Sequence, residues 1–352
     1  MKIFDRKIGD NYPTYFIAEI GSNFDGNLNR AKDLIGLAAE SGADAVKFQH
    51  YTANTLVSDF GFSNMNSVIT HQSKWGKKVS EIYNDASLNK DWTEELFNFA
   101  HNIGIGFFTS PYSMDLVDYV DKFVDAFKIG SGDITFHQIL QKISKKNKPI
   151  ILATGASEES DVINAMNILS LSKNDICIMQ CNTNYTAEES NYSYQNLNVL
   201  KKYKELFPKA ILGLSCHLKT WTSVIASVSL GARVIEKHFT DDRYRKGPDH
   251  NFATNPKEWK LMVEEVRSLE SMLGSGEKTI EKNEKSTVIV QQRSIRCNKN
   301  IAAGDQIKKC DLDFLRPCPE NSLKPYDINK VLGKKLKISM KKGDHFTLKN
   351  LQ

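Results

Sequence analysis

Along the first 240 residues, short runs of apolar, often β-branched or aromatic side chains alternate with longer stretches whose apolar residues recur every three or four positions. The short runs predict strands at Tyr15–Ile20, Ala43–Gln49, Gly104–Ser110, Ala126–Ser131, Pro149–Thr154, Asp175–Cys181, Ala210–His217 and Ala232–Phe239. Between them the longer period predicts helices at Leu28–Ser41, Trp92–Asn102, His137–Lys145, Glu158–Leu171, Gln195–Phe207 and Thr222–Leu230. Asn255 and Pro256 then open a last helix through Leu273, with proline in the first turn, where its missing N–H costs nothing. Eight strand–helix units imply an α/β fold of the (β/α)8 TIM-barrel type, because a doubly wound sheet more often stops at about five to seven strands.

The repeat is broken in two places. The segment from His50 to Lys90 is too long for a simple connection, and long barrel loops commonly furnish active sites. Gly274, Ser275 and Gly276 precede a polar, charged stretch that reads as a linker. The expected organisation is a barrel over residues 1–276, a linker over 277–290, and a small, mostly-β domain over 291–352.

Composition refines this picture. Hydrophobic residues make up 40% of the chain and charged residues 25%, as in ordinary globular proteins, and no apolar run is long enough to span a bilayer. The N-terminus lacks a secretory signal, and six cysteines without a CxxC pair fit a reducing, cytoplasmic setting without disulfides or a structural zinc. The net charge of +5 is uneven. From Gly276 onward 17 Lys and Arg stand against 9 Asp and Glu, whereas the first 275 residues carry 30 against 33. These scattered lysines come with no nucleic-acid motif or interleaved aromatics, so a lid that helps hold an anionic small molecule is preferred to a nucleic-acid partner.

Chemistry concentrates at the C-terminal ends of the predicted strands, where barrel enzymes place their active sites. Ser215 and His217 end the seventh strand; Glu236 and His238 end the eighth. Two imidazoles on adjacent strands can share a divalent cation and leave positions open for water and a substrate oxygen, whereas either alone reads as a core histidine bonded to a carbonyl. Glu19, Lys47 and Lys128 lie within strands, and charged groups there require partners or ligands. Lys47 and Lys128, with Ser110, Ser131 and Ser215, form a candidate clamp for a phosphorylated anion, and Gly130 and Gly132 let backbone approach it. Asp249 and His250 belong to the loop after the eighth strand, where an aspartate is as readily a solvated turn residue as a ligand contact.

Nine ordered motifs add up to a family. Ala18-Glu-Ile-Gly-Ser-Asn23, Val46-Lys-Phe-Gln49, Thr109-Ser-Pro-Tyr112, Lys128-Ile-Gly-Ser-Gly132, Ala153-Thr-Gly155, Gly213-Leu-Ser-Cys-His217, Ile235-Glu-Lys-His-Phe-Thr240, Gly247-Pro-Asp249 and Arg316-Pro317 resemble the sialic acid (nonulosonic acid) synthase family across nearly the whole chain. The tail resembles its antifreeze-like (SAF) domain, which in relatives reaches over the partner subunit's active site in a swapped homodimer. The resemblance implies condensation of phosphoenolpyruvate with an open-chain N-acyl aldose, such as N-acetylmannosamine, to a nine-carbon 2-keto acid and phosphate. It also implies Mn²⁺, with Mg²⁺ or Co²⁺ as alternatives, on His217 and His238, polarising the aldehyde. Lys47, Lys128, Ser131 and Ser215 would grip phosphoenolpyruvate, supported by Gln49 and Ser110. Tyr185, Asp249 and Glu19 would contact the sugar, and Arg316 of the other subunit would reach the N-acyl carbonyl. The implied chemistry is attack of the enol C3 on the aldehyde, capture of the C2 cation by water, and loss of phosphate by C–O cleavage.

The chain departs from the family pattern at Cys216 (usually Asp), Ala153 (Ser), Thr186 (Pro), Cys318 (Gly) and Asp133 (Glu, a sugar or supporting contact). None of these removes an implied metal ligand or phosphate lysine. Alternation along the strand turns residue 216 away from Ser215 and His217. The departures point to a divergent member, and legionaminic- or pseudaminic-type synthesis from a diacetamido-trideoxy aldose stands beside sialic acid synthesis. Outside the family, the rivals are a Schiff-base aldolase using Lys128 or Lys47 and a sugar-binding protein built on the tail.

Overall fold

The computed structural model describes residues 1–65 and 78–352, and the chain divides into two compact units, Met1–Gly274 and Ser275–Gln352. The first opens with a two-stranded hairpin, β1 (Lys2–Ile3) and β2 (Arg6–Lys7). Eight parallel strands follow: β3 (Tyr15–Glu19), β4 (Ala45–His50), β5 (Gly106–Pro111), β6 (Phe127–Ile129), β7 (Ile150–Ala153), β8 (Ile176–Cys181), β9 (Ile211–Cys216) and β10 (Val234–His238). Strand β10 pairs with β3 and closes the barrel. Each predicted strand is present, its ends shifted by no more than two residues, and β4 and β5 run one residue past the expected C-terminal end.

The outer helices are α1 (Leu28–Glu40), α2 (Ala53–Leu56), α3 (Asp59–Ser63), α4 (Val79–Ala86), α5 (Thr93–Asn102), α6 (Met114–Val120), α7 (His137–Ser144), α8 (Glu159–Leu169), α9 (Val199–Leu206), α10 (Thr222–Ser229) and α11 (Pro256–Leu273). Helix α1 begins where the Asn27 side chain accepts from Arg30 N, and it buries Ala31, Leu34, Ile35 and Ala38, one face at helical spacing. Helix α11 carries a reciprocal capping box between Asn255 and Glu258 and ends at Gly274, whose φ of 61° is left-handed. Its Trp259 packs edge-on against Phe16 and Phe239, fastening it to the closing strands β3 and β10.

Two helix expectations are corrected. The helix expected from Gln195 starts at Val199, because Asn196 takes a φ of 45° and breaks the spiral ahead of it. The short α6, capped by Ser113, was not among the expected helices; seven residues are too few for a clear period. Residues 51–86 form α2, α3 and α4 where they are described, while residues 66–77 of the long segment lie outside the described residues.

The second unit contains helix α12 (Lys285–Gln291) within the stretch read as a linker, and the antiparallel pair β11 (Ser294–Cys297) and β12 (Leu312–Leu315). Isolated bridges such as Ile301 with Met340 and Leu336 with Leu351 tie it together around Ile295, Ile307, Val331, Leu336 and Phe346. The six cysteines are free, and no helix among the described residues is long and apolar enough to cross a membrane.

Candidate active site

Parallel register decides what meets at the C-terminal end of the barrel. Glu19 stands opposite Lys47 on one side and His238 on the other, and Glu236 stands opposite Ser215. Alternation turns these side chains inward and their neighbours outward. Cys216 accordingly faces away, with its Sγ 3.2 Å from Ser223 Oγ and 3.5 Å from the buried Lys237 Nζ.

The inward layer is a chain of alternating charges. Lys47 Nζ lies 2.6 Å from Glu19 Oε2 and 3.9 Å from Glu236 Oε1, and Lys128 Nζ lies 3.2 Å from Glu236 Oε1. Gln49 donates to Glu19 at 2.7 Å, and Ser215 donates to Glu236 at 3.3 Å. All four charged groups are buried, so each depends on its partners. Burial opposes the charge on Glu236, but Lys128 and Lys47 outweigh it and hold the carboxyl down at about 2. At Glu19 burial wins over Lys47 and raises the pKa. Burial opposes the charge on Lys47, yet Glu19 and Glu236 hold its pKa above the ordinary value. Of the two carboxyls in this charged layer, Glu19 is therefore the one that more readily takes a proton.

The lysines are thus paired, and Glu236, left off the expected contacts, bridges them. Its position before Lys237 and His238 put it on the inward parity of β10, and that was the signal available in the sequence.

His217 and His238 stand beside this layer with ring centroids 5.4 Å apart and planes inclined by 46°. His217 Nδ1 is 3.1 Å from the carbonyl of Asn182, a bond that fixes the proton there and leaves the Nε2 lone pair for a ligand. His238 Nδ1 is buried without a hydrogen bond among the described residues and lies 3.8 Å from Asp249 Oδ2. Phe252 and Tyr185 pack against both rings and hold their planes. Among the described residues no three His, Cys, Asp or Glu are grouped to hold a metal. Two neutral imidazoles side by side are a partial ligand set of the kind that suits a catalytic cation with open positions.

Asp249 is not a solvated turn residue. Its Oδ2 accepts from Ser22 N at 3.3 Å and Ser22 Oγ at 3.0 Å, which brings the loop after β10 onto the loop after β3. Gly21, at φ 54°, permits the approach: a Cβ there would lie 2.7 Å from Asp249 Oδ2. His250 lies outside the cavity, bonded to Thr240 at 2.8 Å and Asp25 at 2.9 Å, and braces the same loop.

These groups open into one cavity of about 480 Å³. Ser110, Ser131, Asp133 and Tyr185 line it together with Glu19, Lys47, Gln49, Lys128, Ser215, His217, His238 and Asp249. Ser131 Oγ accepts from Gly155 N at 3.0 Å; any Cβ at residue 155 would collide with Thr183 Oγ1. Ser110 Oγ and Glu236 Oε2 are buried and have no hydrogen bond among the described residues. Burial lifts the Asp133 carboxyl to about 6. At Thr186 the backbone N–H, which a proline would lack, donates to Asn184 Oδ1 and braces the Tyr185 loop. Tyr51, Tyr112 and Ser22 also join the lining: Tyr112 and Ser22 stood in the quoted motifs without an expected role, and Tyr51, a tyrosine in a loop, carried no spacing signal. Arg316 is exposed in the second unit, following β12.

A closed parallel barrel with charged and metal-capable side chains at the C-terminal ends of its strands is a TIM-barrel enzyme scaffold. The chain belongs to the NeuB family, whose model matches residues 34–278, and a SAF domain follows at residues 292–352. It is similar to an uncharacterised protein of Methanocaldococcus jannaschii, at 35% identity over 98% of this chain and 96% of that one. It is also similar to the N,N'-diacetyllegionaminic acid synthase of Campylobacter jejuni, at 33% identity over 91% and 95% of the two chains. Among solved structures, the N-acetylneuraminic acid (sialic acid) synthetase of Leptospira borgpetersenii superposes with a TM-score of 0.71 at 26% identity, covering 82% of this chain and 94% of that chain.

Proposed function

We propose that this protein condenses phosphoenolpyruvate with an open-chain N-acyl aldose, giving a nonulosonic acid and phosphate. The observation that carries the reading is the convergence, in one cavity, of two strand-end imidazoles with ring centroids 5.4 Å apart, two buried lysines, and Ser110 Oγ and Glu236 Oε2, which have no hydrogen bond among the described residues. Lys47, Lys128, Ser131 and Ser215 bind the phosphorylated donor, with Gln49 and Ser110 holding the arrangement. A divalent cation, Mn²⁺ before Mg²⁺ or Co²⁺, is held by His217 and His238 and supplies Lewis acidity at a carbonyl oxygen. Because burial raises the pKa of Glu19, this carboxyl can take up a proton as the trianionic donor enters, turning a balanced charge network into a cationic one. Glu19 is then placed to return that proton to oxygen as charge develops on the acceptor. Asp249, Asp133 and Tyr185 orient the sugar. Arg316 completes the site from the partner subunit of a homodimer, reaching the N-acyl group.

The test is phosphate release from phosphoenolpyruvate in the presence of a panel of N-acyl aldoses. His217→Ala should lose both metal retention, read by elemental analysis of the purified protein, and product formation. Full activity in that variant sinks the assignment. Borohydride with pyruvate separates the aldolase alternative, because only a Schiff-base enzyme becomes covalently trapped at Lys47 or Lys128.

A further inference from the structure

One buried imidazole beside the cavity takes no part in the binding groups named above. His250 follows Asp249 directly, yet their side chains face different ways: Asp249 lines the cavity, and the His250 ring is fully buried behind it. A ring buried that deeply needs partners for its nitrogens. Nδ1 lies 2.8 Å from Thr240 Oγ1, and Nε2 lies 2.9 Å from Asp25 Oδ1. The Asp25 carboxylate only accepts, so Nε2 carries a proton and donates it.

That bond closes a ring of residues between two loops. Ser22, after β3, donates from N and Oγ to Asp249 Oδ2. The backbone leads from Asp249 to the imidazole, Nε2 leads to Asp25, and Asp25 N donates back to Ser22 O at 3.1 Å. Asp25 is held from outside as well, with Arg245 Nε at 2.8 Å and Arg30 Nε at 3.2 Å from its Oδ2. The loop lies close against the ring. A Cβ at Gly247 would come within 2.7 Å of His250 Cδ2 and 3.1 Å of Nε2, so only glycine fits there. The two bonds from Ser22 meet a single oxygen of Asp249, a contact about which a carboxylate can swing. The anchored imidazole fixes the backbone from which that carboxylate projects.

We infer that His250 is a positioning residue for the acceptor aldose. Anchored on Asp25, it holds the Asp249 carboxylate at the angle from which it meets the sugar, without touching the sugar itself. The inference rests on the synthase reading above and adds to it the residue through which the loop after β10 sets aldose affinity.

Steady-state phosphate release tests it, with phosphoenolpyruvate and whichever of N-acetylmannosamine and a 2,4-diacetamido-2,4,6-trideoxy hexose the wild-type protein turns over faster. Misplacing a substrate-positioning group by about 1 Å can cost about a hundredfold, so His250→Ala should raise the KM for the aldose at least about tenfold. The KM for phosphoenolpyruvate and the metal content of the purified protein should stay at wild-type values. The conservative variants separate the two nitrogens. The amide of His250→Gln reaches the place of Nε2 and should restore most of the affinity, whereas that of His250→Asn reaches only the place of Nδ1 and should not. Asp25→Ala should raise the aldose KM as His250→Ala does, and the double variant should be no worse than either alone, because one bond is lost in all three. Native tryptophan fluorescence confirms folding of each variant.

An unchanged aldose KM in His250→Ala overturns the inference and leaves the synthase reading standing. Equal rises in both KM values, or loss of metal, also overturn it, since the damage is then general to the barrel mouth. Asparagine restoring affinity as well as glutamine overturns the anchor on Asp25. Wild-type protein that retains its metal and releases phosphate with neither sugar overturns the synthase reading itself, and this inference with it.

Discussion

Replacing Glu236 by glutamine keeps the shape of the side chain and its contact with Ser215 but removes the one anion that Lys128 and Lys47 share. In the folded protein the two lysines hold the Glu236 carboxyl at about 2, against an ordinary value of 4.5. That difference corresponds to about 3 kcal/mol, in line with the roughly 3–5 kcal/mol lost when one partner of a buried ion pair is removed. The sign follows from the direction of the shift. A carboxyl depressed on folding contributes its stabilisation above its unfolded pKa and loses it as pH falls toward its folded one. The deficit of the variant should therefore be constant from about pH 8 to 5 and shrink progressively below about 4.5. Urea unfolding followed by tryptophan fluorescence reports on the barrel, because the chain's four tryptophans all precede residue 275 in the sequence and the second unit begins there. Glu159→Gln is the control: its 3.7 Å pair with Lys202 is about half exposed on both sides and should be worth less than about 1 kcal/mol. A Glu236→Gln deficit no larger than the control's, or one that persists undiminished below pH 4, refutes the reasoning.

Two further outcomes follow from the site. Gly21→Ala combines a left-handed backbone with a Cβ 2.7 Å from Asp249 Oδ2, so it should cost about 1–3 kcal/mol in the same unfolding assay and raise the KM for the aldose as the loop after β10 is pushed off. An unchanged KM would separate Asp249 from sugar binding. If Arg316 completes the partner's site in a homodimer, as proposed, Arg316→Ala and His217→Ala, each inactive alone, should regain about a quarter of wild-type turnover when unfolded together and refolded at equal amounts, since half the dimers would then carry one intact site. No recovery would place Arg316 on the same subunit's site or on none.

The barrel was legible because its signal is periodic: fully apolar strands and three-to-four-residue helical spacing survive without knowledge of the partners, as at Ile150–Ala153 and in α1. Within the site, Lys47, Lys128, His217 and His238 could be singled out because charge or imidazole in an apolar strand is costly and demands an explanation. Asn196 and its left-handed φ left no such trace, and the helix after it was expected too early.

By itself the chain determined the eight units, the inward parity of Ser215, His217, Glu236 and His238, and the outward turn of Cys216, all of which depend on intervals of two along a strand. Only the tertiary structure decided which strands became neighbours across the closure, and hence that Glu19 of β3 meets His238 of β10 and that Glu236 joins both lysines. It also decided that Asp249 folds back on Ser22 and that Leu56, Val57, Phe62, Ile82 and Ala86 line the same cavity as the charges. The physical reason is range: periodicity is written locally, while ion pairs and hydrogen bonds between residues some 190 to 230 positions apart exist only once the sheet has closed.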